Sequence, residues 1–70
     1  MHVGKAIRAI RLAKNLCQEA VAAATGISGT ALSNIETEKT TEVTVPRLEK
    51  IAVALGTTVE VIIHLAENIS

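Results

Sequence analysis

The sequence predicts an all-α fold, a compact bundle of five short helices. Apolar residues recur three and four positions apart in segment after segment, and no strand-like alternation runs long enough to compete. Gly, Ser, Thr and Pro fall between these segments, where helices stop and start. At 70 residues the chain is one domain at most. An apolar content of 49% with a formal charge of zero is that of a folded chain, not a disordered one.

The first helix is expected from about Val3 to Asn15, with Val3, Ile7, Ile10 and Ala13 in one stripe and Lys5, Arg8 and Lys14 off it. Gly4 suggests a frayed start. The second helix begins after Cys17, which stands at the N-cap, where a thiol is a poor acceptor for orphan N–H groups. Val21, Ala22 and Ala24 form its apolar side, and Gly26 ends it in a left-handed position. Ser28 caps the third helix, from Gly29 to about Thr37, with Leu32 and Ile35 pointing inward. Residues 38–43 form a polar, Thr-rich loop. Thr44 caps the fourth helix, and Pro46 sits in its first turn, where a missing N–H is harmless. Leu48, Ile51, Ala52 and Leu55 make its stripe, and Gly56 ends it. Thr58 caps the fifth helix, from Val59 to about Asn68, which is apolar over more than one face.

Composition narrows the function. There is no Phe, Tyr or Trp, so the core is built from Ile, Val, Leu and Ala. The same absence removes base stacking on aromatic platforms and counts against the RRM, cold-shock and OB-type readers. Charge is unevenly spread: residues 1–35 carry four cations against one Glu, and residues 36–70 carry three against six. A single cysteine, Cys17, cannot form an internal disulfide, which fits a reducing compartment. No apolar run reaches the roughly 18 residues of a membrane span, and the basic N-terminus lacks the apolar stretch of a secretory signal. A cytoplasmic protein without a membrane partner is expected. His2 and His64 are isolated, no residues show metal-ligand spacing, and no nucleophile–base set or phosphate-binding glycine loop is present. The expectation is a non-enzyme with no cofactor and no metal.

The informative feature is a spaced set: Gln18, Ala22, Gly26, Leu32, Ile35. Ala22 is small enough for two helices to cross closely. Gly26 supplies the positive φ of the connecting turn. Leu32 and Ile35 anchor the second helix of the pair and leave its opposite face free to enter a DNA major groove. All five stand in register, behind one amphipathic helix and ahead of two more.

With these residues the sequence resembles the Cro/cI-type (XRE-type) helix-turn-helix regulators. The likeness runs over nearly the whole chain, through Gly4-Lys5-Ala6-Ile7-Arg8, Arg11-Leu12-Ala13-Lys14, Gln18-Glu19-Ala20-Val21-Ala22, Thr25-Gly26-Ile27-Ser28, Leu32-Ser33-Asn34-Ile35-Glu36 and Val45-Pro46-Arg47-Leu48-Glu49-Lys50-Ile51-Ala52. It continues through Ala54-Leu55-Gly56 and Thr58-Val59-Glu60. The resemblance implies a lambda-repressor-like five-helix domain over residues 1–70, with the helix-turn-helix at about 18–36. It implies a sequence-specific transcriptional regulator, acting on operator DNA as a homodimer with the third helix in the major groove.

Position by position, the resemblance places Gln18 at a phosphate and Gly29, Thr30, Ser33 and Asn34 at the base edges, with Ser28 among the DNA-binding residues. Thr37 and Lys39 match backbone contacts just beyond the third helix. Arg11 and Glu36 match a structural ion pair between the first helix and the end of the third. The apolar excess of the fifth helix is read as a dimer interface of Val61, Ile62, Leu65 and Ile69, because the family dimerises and the domain is small.

The sequence departs from the family where DNA is read. Base-facing positions commonly carry Gln, Arg or Lys, whereas only Asn34 can make a bidentate contact here, with adenine as its natural partner. Thr37 and Glu38 stand where the family has a basic residue and then Gly, so a carboxylate is expected near phosphate. The loop that follows is one residue longer than usual and contains Glu42. These departures and the neutral charge motivate an alternative: a protein-interaction module on the same scaffold, antitoxin-like or antirepressor-like, with weak or no DNA binding and a protein partner.

Overall fold

The computed structural model describes residues 1–69 and contains five helices: α1 Val3–Ala13, α2 Gln18–Thr25, α3 Gly29–Glu36, α4 Val45–Leu55 and α5 Val59–Asn68. Their boundaries follow from local chemistry. Ser28 Oγ accepts from the Ala31 N–H at 3.0 Å, Thr44 Oγ1 from the Arg47 N–H at 3.4 Å, and Thr58 Oγ1 from the Val61 N–H at 3.2 Å. Each hydroxyl satisfies one donor that the first turn of a helix leaves unpaired. Cys17, at the start of α2, makes no such bond. Gly26 and Gly56 end α2 and α4 at φ of 78° and 69°, the left-handed conformation that a Cβ penalises.

Two helix ends differ from expectation. α1 stops at Ala13 because Asn15 turns to φ 57°, which lets the Leu16 N–H reach back to the Arg11 carbonyl at 3.1 Å. Asn tolerates that conformation better than most residues. α3 ends at Glu36, with Thr37 as its cap, and the next residue, Glu38, takes φ 65°.

The core is one cluster drawn from all five helices. Ile7, Val21, Leu32, Ile35, Ile51, Leu55 and Ile62 are its largest fully buried side chains. Each removes apolar surface worth about 1.5–3 kcal/mol from water. α1 packs on α3 and α5, α2 packs on α3 and α4, and α4 joins α5. α1 and α5 run antiparallel, pinned at both ends. The His2 N–H donates to the Ala66 carbonyl at 3.2 Å, and Lys14 Nζ donates to the Gly56 carbonyl at 3.0 Å.

Gly4 has a role that its place in the sequence hid. It lies where α1 meets the last turn of α3, and a Cβ there would collide with the Ile35 carbonyl oxygen. The glycine is a close-approach position and not a frayed end.

Candidate nucleic-acid interface

The buried side of α3 is set by Leu32, Ile35 and Glu36. A carboxylate with 3% of its residue surface exposed needs partners, and Glu36 has two. Arg11 Nε donates to Glu36 Oε2 at 2.8 Å, and Arg11 Nη2 donates to Glu36 Oε1 at 3.0 Å. Gln18 Nε2 donates to Glu36 Oε1 at 3.1 Å. The remaining edge of the guanidinium donates through Nη1 to the Leu16 carbonyl at 2.7 Å. The hydrogen bond to Glu36, reinforced by its charge, raises the Arg11 pKa against the opposing effect of burial. One network therefore ties α1, the first residue of α2 and the end of α3. It fixes Gln18 at the α2 N-terminus with one amide N–H committed to Glu36 and the second still free to donate.

The turn is locked by a second local device. Thr25 is buried, and its Oγ1 donates back to the Val21 carbonyl at 2.8 Å. Gly26 then reverses the chain into Ser28.

The opposite side of α3 faces solvent. Gly29, Thr30 and Thr37 are exposed, and Ser33 and Asn34 are half-buried. Ser33 and Thr37, four apart, share one line of the helix, and Thr37 Oγ1 donates to the Ser33 carbonyl at 2.8 Å. Ser28 Oγ is used by its capping bond. The Asn34 carboxamide makes no hydrogen bond among the described residues, although its backbone carbonyl accepts from the Thr40 N–H at 3.0 Å. Lys39 is exposed in the loop beyond. Gln18 and the α3 residues thus lie on two consecutive helices held in fixed relation by Glu36. Lys39 is joined to them by chain continuity alone.

Glu38, where a carboxylate is expected near phosphate, lies beside the start of α1. Its positive φ turns the side chain back onto α1. Glu38 Oε1 lies 3.4 Å from His2 Nδ1, and the carboxylate rests against Gly4 in the first turn of α1, half-buried. The positive end of a helix is a favourable place for it.

The α5 residues divide. Val61 is 50% exposed, and Leu65 and Ile69 are half-buried. Ile62 corrects its assignment to an interface: it has no exposed surface and packs in the core with Ala66. Periodicity set it on the same helix as its neighbours without showing which element covers it. Leu12 of α1 is a further exposed apolar residue, at 48%.

No helix among the described residues is long and apolar enough to cross a membrane. A family model described as helix-turn-helix matches residues 7–62, from the middle of α1 into α5. No curated protein matches the chain. The chain belongs to the XRE-type helix-turn-helix family, the Cro/cI-like DNA-binding regulators.

Proposed function

We propose that this helix-turn-helix chain acts as one domain over residues 1–70 in the cytoplasm, binding operator DNA as a homodimer with α3 in the major groove. The observation that carries the reading is the division of α3 into two sides. Glu36, Leu32 and Ile35 are buried and clamped, while Thr30, Ser33, Asn34 and Thr37 are left to the outside. A helix held so firmly by one side presents the other in a fixed pose, which base readout requires. In this reading Asn34 pairs with an adenine through its carboxamide. Gly29, Thr30 and Ser33 line the base edges closely without long side chains. Gln18, the Ser28 cap, Thr37 and Lys39 meet the backbone, and the α2 N-terminus adds its positive dipole end.

Dimerisation is assigned to Val61, Leu65 and Ile69 of α5. Two-fold docking then puts the two α3 helices in successive major grooves, about 34 Å apart. Regulation follows protein concentration, since dimer formation and DNA binding are linked by mass action.

The test is a double variant, Gln18→Ala with Asn34→Ala. It should remove duplex binding in a gel-shift assay while leaving the helical circular dichroism intact. Retained in vivo function in this variant would instead favour the protein-interaction reading.

A further inference from the structure

The recognition side of α3 contains no cation: it offers Gly29, Thr30, Ser33, Asn34 and Thr37. Phosphate attraction supplies most of the affinity of DNA-binding proteins, so it has to come from elsewhere on the chain. The seven cations are not equally available. Arg11 is buried and paired with Glu36, and Lys14 is bound to the Gly56 carbonyl. Arg47 and Lys50 stand on α4, where Lys50 borders Ala24 and Val53 on the α2–α4 flank.

Lys5 and Arg8 are placed differently. They are three apart on α1, both exposed, and carry no ion pair among the described residues. They line a groove of about 620 Å³ whose other wall is the end of α3 and the residues just after it, including Thr37. Thr37 belongs to the exposed line of α3 as well, so the groove runs directly into the recognition side. Of the two carboxylates bordering it, Glu36 is committed to Arg11 and Gln18, while Glu38 Oε1 lies 3.4 Å from His2 Nδ1 without a hydrogen bond. Ala9 and Leu12 complete the lining of the groove. Lys39 is exposed one residue beyond Glu38.

We propose that Lys5 and Arg8, with Lys39, form a phosphate-binding flank that grips the DNA backbone beside the end of α3. The proposal rests on the DNA-binding reading above and extends its footprint to a helix outside the helix-turn-helix. The cations of α1 supply the attraction that α3 lacks, and Ala9 and Leu12 offer a surface for deoxyribose.

The experiment compares wild type, the double variant K5Q/R8Q and the control K50Q. Affinity for one fluorescein-labelled duplex is measured by anisotropy across a salt series. Each lost phosphate contact should flatten the log–log slope by about 0.9. K5Q/R8Q should therefore bind with a slope shallower by about 1.8, with K50Q matching wild type and thermal melts superimposing. An unchanged slope in K5Q/R8Q, or an equal flattening in K50Q, overturns the proposal while leaving DNA binding standing. No binding by wild type at the lowest salt overturns the DNA-binding reading and this one with it.

Discussion

Arg11 and Glu36, 25 residues apart in the chain, meet in a two-pronged ion pair sealed between α1 and the end of α3. Removing one member of such a pair leaves an uncompensated buried charge and costs about 3–5 kcal/mol. A chain of this size has about 0.05–0.15 kcal/mol of stability per residue to lose. Arg11→Met should therefore be largely unfolded or melt at much lower urea. The double variant Arg11→Met with Glu36→Leu should recover a large part of the loss, because no lone charge remains. A single variant within about 1 kcal/mol of wild type would contradict the role given to the pair.

Glu38 pays for its left-handed backbone, which costs a residue with a Cβ about 1–2 kcal/mol. Its 3.4 Å approach to His2, made without a hydrogen bond, returns less than that. Glu38→Gly should raise stability by about 1 kcal/mol in chemical denaturation. Gly4→Ala should do the reverse, lowering stability by about 1–3 kcal/mol, since its methyl meets the Ile35 carbonyl. A neutral Gly4→Ala would mean that α1 and α3 can move apart cheaply.

Among the residues proposed to face the bases, Asn34 is the one whose side chain can form a bidentate contact. Asn34→Ala should lose about 1–3 kcal/mol of discrimination at a single adenine position and keep its melting temperature. Competition against duplexes substituted one base pair at a time would locate that position. Equal losses at every position would assign Asn34 to the backbone instead.

On α5, neighbouring residues should give opposite phenotypes. Val61→Asp changes a half-exposed side chain and should yield a folded monomer in sedimentation equilibrium. Ile62→Ala removes a fully buried one and should cost about 2–5 kcal/mol of stability whatever the assembly state. A Val61→Asp variant that assembles like wild type would move the dimer interface away from α5.

Much of the fold was legible because its punctuation is local chemistry. Ser28, Thr44 and Thr58 cap helices through their own hydroxyls, and Gly26 and Gly56 take the conformations that glycine permits. What escaped depends on neighbours distant in sequence. Gly4 is required by the Ile35 carbonyl, 31 residues away, and nothing in its own surroundings signals that. Glu38 adopts a positive φ that its side chain does not advertise, so the place of its carboxylate beside α1 was not legible. Ile62 shares a helix with exposed residues, and only the packing of α1 and α4 against α5 decides that it is covered. The positions given to DNA came from the resemblance to a family. Their free side of α3 came from burial, and Lys5 and Arg8 emerged only once α1 was seen beside Thr37.

The most direct test of the account is the affinity of the wild-type chain for a randomised duplex pool, followed by fluorescence anisotropy as salt is raised. The account predicts a log–log slope of minus a few units. It also predicts that sequences with two-fold-related half-sites survive selection at physiological salt. A flat titration with no duplex retained at low salt would contradict it, and would direct attention to a protein partner.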